Sequence, residues 1–136
     1  MVSKKQIITS GKRKTAVAKA SLHAGTGLVR IDGMRLDCYE PKQARMRIME
    51  PVILAGEAVQ DVNINVDVFG GGISGRADAA RLAIARAILQ HVGAKSPLRQ
   101  TYLDYDRSLL VADIRVKEMC KPNDSKARKK RQKSYR

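Results

Sequence analysis

Asp61-Val62-Asn63-Ile64-Asn65-Val66-Asp67-Val68-Phe69-Gly70-Gly71-Gly72 is the stretch whose reading decides the fold. Val62, Ile64, Val66 and Val68 alternate with Asp61, Asn63, Asn65 and Asp67, the two-residue period of a strand with one buried and one polar face. After the glycines, Ser74 is the expected N-cap of a helix running through about Val92, and Gly93 is its stop. The apolar stripe of that helix is Ala77, Ala80, Ile84, Ala87, Ile88 and Val92, with Arg76, Asp78, Arg86 and Gln90 mostly outside it. A half-buried strand feeding a long helix places the chain in the α/β (α+β) class.

Working outward, Gln6-Ile7-Ile8-Thr9 begins as a β-prone run that Ser10-Gly11 interrupts. Between Lys12 and Leu22, Ala16, Ala18, Ala20 and Leu22 fall on one face, small enough to let a backbone or a helix approach closely. With the Ala24-Gly25-Thr26-Gly27 turn and Leu28-Val29-Arg30-Ile31-Asp32-Gly33, this segment reads as a hairpin. From Met34 to about Ala58 the pattern is helical but broken. Pro41 starts a helix with Ala44, Met46, Ile48 and Met49 partly buried, and Pro51 is expected to interrupt it and start another. Pro97 permits a further helix carrying Leu98, Tyr102 and Tyr105, and Leu109-Leu110-Val111 closes the core. Pro122-Asn123-Asp124-Ser125 then breaks the order. One globular domain over residues 1–120 and an extended basic tail over 121–136 is the expected organisation.

The 136 residues carry a formal charge of +14. Lys4, Lys5, Lys12, Arg13, Lys14 and Lys19 precede any carboxylate, and the acids Asp32, Asp37, Glu40, Glu50, Glu57, Asp61 and Asp67 gather in the middle. The last stretch, from Lys126 to Arg136, has no acid and no aliphatic residue larger than alanine, so alone in water it is expected to be disordered. Extended, it spans roughly 35–40 Å. A solubilising tail or an import-type signal is the plain reading of such a run. Because the rest of the chain is basic too, a thread along a polyanion accounts for it better. At 4% aromatics, stacking of unpaired bases on a sheet is disfavoured. Cys38 and Cys120 form no CxxC pair and read as reduced thiols, His23 and His91 have no metal-ligand spacing, and no apolar run suits a membrane.

Gly70-Gly71-Gly72-Ile73-Ser74-Gly75 matches G-x-G-x-x-G between a strand and a helix, the mark of a dinucleotide site. Lys95 stands where a ribose-binding acid belongs, and too little chain follows for such a domain. A tight turn with close helix–strand packing explains the glycines better, while free N–H groups beside Arg76 suit an RNA phosphate. The calcium-loop start at Asp61 fails at Val66 and Gly72, where a glycine and a glutamate are required. No nucleophile or acid/base pair stands out, so no catalysis, cofactor, metal or small-molecule substrate is expected. The cluster Lys12-Arg13-Lys14, and Arg107, Arg115 and Lys117 near the last apolar patch, are expected to meet phosphate rather than form plain solvated surface.

Four segments resemble the universal small-subunit ribosomal protein nine family in its archaeal/eukaryotic form. They are Thr9 to Ala20; Gly70-Gly71-Gly72 with Ser74-Gly75, Ala77 to Arg81 and Ile84 to Ala87; Tyr105 to Asp113 with Arg115; and Gln132-Lys133-Ser134-Tyr135-Arg136. Arg76 stands where the family usually has Gln, and Arg131 where related tails carry an aromatic. The resemblance implies a compact four-stranded sheet with helices on one face and a left-handed βαβ crossover, against the general rule. It implies a place in the head of the small subunit, with ribosomal RNA, neighbouring head proteins and the peptidyl-site tRNA as partners, and cytoplasmic localisation on the ribosome. Carried onto this chain, Lys12, Arg13, Lys14, Lys19, Arg76, Arg107, Arg115, Lys117, Lys126, Arg128, Lys129, Lys130, Arg131 and Lys133 would contact ribosomal RNA. Ser134, Tyr135 and Arg136 would lie nearest the tRNA. The other classes open to the sequence are a nucleotide-dependent enzyme built on the glycine turn and a free RNA chaperone.

Overall fold

The structure, a computed structural model, describes residues 6–93, 95–123, 126–130 and 132–135. In chain order the elements are β1 (Ile7–Arg13), β2 (Ala16–Ala24), β3 (Val29–Ile31), β4 (Met34–Arg35), α1 (Lys42–Ala55), β5 (Val62–Phe69), α2 (Ile73–Val92) and α3 (Leu98–Tyr105). The sheet has the order β1-β2-β5-β3-β4 and is antiparallel except between β3 and β5. It therefore has five strands rather than four, the extra one being the two-residue β4. Ala16, Ala18, Ala20 and Leu22 of β2 and Val62, Ile64, Val66 and Val68 of β5 are buried under the helices. On the other face Lys19, Arg30 and Asp67 are exposed.

Local pattern erred where neighbours were chosen at a distance. Strand β1 runs unbroken through Ser10-Gly11, because Gly11 faces α2: a Cβ there would sit 2.2 Å from the Ala79 carbonyl oxygen. The turn into β2 is Lys14-Thr15, with Lys14 at φ 52°. No β2–β3 hairpin forms, since β5 inserts between them. Gly25 N–H donates to Asp61 O (2.8 Å), and Asn63 Oδ1 accepts from the amides of Thr26 (2.9 Å) and Leu28 (3.0 Å). Pro51 lies inside a continuous α1, buried, with its carbonyl accepting from the Tyr102 hydroxyl at 2.7 Å. Packing here outweighs the single backbone N–H that proline removes. Gly72, not Ser74, caps α2, which ends at Gly93 (φ 110°) as expected.

Helix α2 is buried on nearly every side, beyond its expected stripe. Ala79, Leu82, Ala83, Ala85 and Leu89 are covered as well, because α1 packs beside it and Tyr102 and Leu109 close over Ala85. Val92 and Val111, expected in the core, are exposed. The glycine turn has a packing reason. Gly70 and Gly71 hold φ of 69° and 71°, and a Cβ on Gly71 would come within 2.7 Å of the Ala16 methyl.

The hand of the crossover follows from L-chirality. Ile64 and Val66 face the helices, and their backbone groups bond toward β3: Ile64 N–H to Leu28 O and Asp32 N–H to Val66 O, both 2.9 Å. Viewed from the side-chain side with the strand running up, an L-residue directs its N–H and C=O to the right. Thus β3 lies to the right of β5. The chain leaves β3, crosses on the helix side through α1, whose Ala44 and Ile48 join the core, and enters β5 to the left. The β3–α1–β5 unit is left-handed, against the usual preference.

Candidate nucleic-acid interface

Beyond the short 3-10 turn at Arg107–Leu109, no helix or strand occurs among the described residues. Residues 106–115 instead lie along the body as a strap held by three arginines. Arg81, 4% exposed, donates from Nη1 to Asp106 Oδ2 (2.9 Å) and Ser108 Oγ (3.0 Å), and its Nη2 lies 2.5 Å from Glu50 Oε2. Arg86 donates twice to the Leu110 carbonyl (3.2 and 3.0 Å) and once to that of Ser10 (2.9 Å), tying the strap to β1. Arg13 sits between two carboxylates, 3.1 Å from Asp113 and 3.6 Å from Asp78. A lone charge inside an apolar helix is costly unless paired. That is why the alanine-rich run around Arg81 demands partners.

The strap's acids titrate accordingly. Burial alone would raise the Asp106 carboxyl, but hydrogen bonds from the Ser108 hydroxyl and amide, with those from Arg81, outweigh it and hold the pKa below its ordinary value. Hydrogen bonds from Arg115 hold Asp113 far below the usual carboxylate range, with Arg13 adding to the effect.

The expected contact residues fall into separate groups. Lys12, Lys14 and Lys19 are exposed on β1, its turn and β2, and Arg107 is exposed on the 3-10 turn. Arg13, Lys14, Arg115 and Lys117 come together around a shallow surface cleft at the end of the strap. Arg115 chelates Asp113 with Nε at 3.0 Å and Nη2 at 2.7 Å, yet stays exposed. Arg76 is committed elsewhere. Its Nη2 donates to Asp32 Oδ2 (2.7 Å) and Val68 O (3.1 Å), while Asp32 Oδ1 accepts from Val68 N–H (2.8 Å), so this arginine clips α2 to the β3–β5 seam.

Farther along, Lys126, Lys129, Lys130, Lys133, Ser134 and Tyr135 are exposed, and Arg128 chelates Glu118 (2.6 Å). Lys4, Lys5, Arg131 and Arg136 lie outside the described residues. Sequence reasoning gave no site role to Arg47, Asp78, Arg81, Arg86, Asp106 or Asp113. The available signal was a charge embedded in Ala79-Ala80-Arg81-Leu82-Ala83-Ile84, where only a paired group is tolerable.

Among the described residues no three His, Cys, Asp or Glu gather as for a metal ion, and no helix is long and apolar enough to cross a membrane. The sequence model described as ribosomal protein S9/S16 matches residues 11–136. The chain belongs to the ribosomal protein S9/S16 family. The small ribosomal subunit protein uS9 of Methanothrix thermoacetophila is 49% identical over 132 residues, which span 97% of this chain and 99% of that protein. Those of Methanococcus maripaludis strain C5 and Methanococcus vannielii are 48% and 47% identical over 134 residues, with the same coverage. The S9/S16 match begins at Gly11, so it takes in Arg13, α2 with Arg81 and Arg86, the whole strap and the basic arm.

Proposed function

We propose that the chain is a structural, non-catalytic constituent of the small ribosomal subunit, with a globular body over residues 1–120 and an arm over 121–136. The body binds small-subunit ribosomal RNA in the subunit head, beside other head proteins, and the arm follows RNA to the peptidyl-site tRNA; the working place is the cytoplasmic ribosome. One observation carries this reading: full-length similarity to small ribosomal subunit proteins in a chain of charge +14. The acid-free stretch of the arm from Lys126 on adds support, since its described cations are exposed and, Arg128 apart, no carboxylate holds them among the described residues.

Within the body, Lys12, Lys14, Lys19, Arg107 and Lys117 are free to reach phosphate, and Arg115 can do so from its outer edge. Arg13 and Arg76 would have to surrender Asp113, Asp78 or Asp32 first, so RNA contact through them costs the fold a strut. Lys126, Arg128, Lys129, Lys130, Arg131 and Lys133 line RNA in this reading, and Ser134, Tyr135 and Arg136 lie nearest the tRNA backbone. The test has two parts. In a gradient at high salt the protein should travel with the small subunit; release into the free fraction would fit a chaperone and reject the assignment. Deleting residues 134–136 should leave assembly intact and loosen peptidyl-site tRNA. Lost assembly with unchanged tRNA affinity would reject the division of labour.

A further inference from the structure

Between α1, α2 and the strap lies a cleft of about 180 Å³, lined by five cations and two carboxylates. Its charges form a row. Arg47 Nε lies 2.7 Å from Asp78; Asp78 lies 3.6 Å from Arg13; Arg13 lies 3.1 Å from Asp113; and Asp113 is chelated by Arg115. Three guanidinium groups alternate with two carboxylates, so the row begins and ends on a cation and carries one uncompensated positive charge.

The two ends are also the open members. The Arg47 side chain is 51% exposed and that of Arg115 83%, whereas Arg13 between them is 19% exposed. Among the described residues neither Nη of Arg47 makes a hydrogen bond, and Nη1 of Arg115 makes none. Asp78 Oδ1 receives no well-directed hydrogen bond in spite of its short distance to Arg47, so that contact is coulombic. Arg47 can therefore turn its outer edge to an anion without breaking a directed bond. Arg81, the remaining arginine of the wall, is already neutralised by Glu50 and Asp106.

We propose that this cleft seats one phosphodiester of the bound RNA, gripped by Arg47 and Arg115 from opposite ends of the row. One phosphate carries the single negative charge the row lacks, and Lys12, the remaining cation of the wall, adds to the attraction. Asp113 fixes the Arg115 guanidinium beforehand by its chelate, and Asp78 keeps Arg47 beside the cleft by charge attraction, which lowers the entropy cost of a two-point grip. An acidic side chain of a neighbouring protein has similar charge, but Lys117 continues the positive surface beside Arg115, which suits a repeating polyanion better. The proposal rests on the RNA-binding reading given above.

The experiment uses the full chain and small-subunit ribosomal RNA, with Arg47→Ala/Arg115→Ala and the charge-keeping Arg47→Lys as variants. In the double variant, the slope of log K against log salt should shallow by about 0.7–0.9, one phosphate's worth, and one backbone position should lose hydroxyl-radical protection. Arg47→Lys should keep the slope near the parent's, and matched thermal midpoints would show that all proteins are folded. An unchanged slope and footprint in the double variant, with the parent binding normally, would overturn the cleft site and leave only an ion-pair network. If the parent itself fails to bind this RNA, the functional reading falls, and the site with it.

Discussion

Helix α2 and the arm after residue 125 both carry arginines, and the molecule holds them in opposite ways. In α2, Arg76, Arg81 and Arg86 are each tied to carboxylates or carbonyls of other elements, and Arg81 is buried. In the arm, every described lysine is exposed, and among the described residues the Arg128 side chain pairs with Glu118 of the adjoining irregular segment. The difference teaches that positive charge in this chain does two jobs. Near acids and the core it fastens elements together; in the acid-free stretch it stays available to an outside polyanion.

Deleting residues 126–136, which hold seven cations, should separate the two jobs most widely. If all meet phosphate, the salt slope of RNA binding should fall by roughly 5 and affinity by several orders of magnitude. The thermal midpoint of the body should barely move. A large drop in that midpoint would show the arm to be part of the fold. Arg81→Ala asks the reverse. It strands Glu50 and Asp106, but because both keep some water, the loss should be about 2–4 kcal/mol, at the low side of a broken buried pair. Urea unfolding reads it, and a change under 0.5 kcal/mol would deny Arg81 its role as a staple.

Tyr102→Phe should cost about 1–2 kcal/mol by leaving the buried Pro51 carbonyl without its donor. RNA affinity should be untouched, so a variant with lost affinity and full stability would blur the two jobs. The smallest effect is in acid. Because Asp106 and Asp113 have depressed values in the folded state, their contribution is present above the ordinary 3.8 and is lost as pH falls through the folded values. Acid titration of unfolding should therefore show the gap between the parent and Asp106→Asn closing below about pH 3.8. A gap that widened there would reverse the sign assigned to the strap.

Much of this was legible beforehand. The alternation from Val62 to Val68, the glycine turn and the long helix ending at Gly93 are local signals, carried by period and by residues that tolerate positive φ. The four family segments pointed to a left-handed crossover and an α/β body. The β2–β3 hairpin failed because Leu28 to Ile31 states that it is a strand and does not state which strand it will join. Pro51 failed because its cost is local while its compensation, a lid formed by Tyr102, comes from 51 residues away.

The sequence by itself determined the buried face of β5, the extent of α2, the surplus of positive charge and where that charge is free of acids, since each depends on neighbours in the chain. Only the tertiary structure decided which cations are spent. Asp78, Asp106 and Asp113 reach Arg13, Arg47 and Arg81 once α1, α2, β1 and the strap have packed, and an ion pair depends on distance in space, to which separation along the chain is no guide.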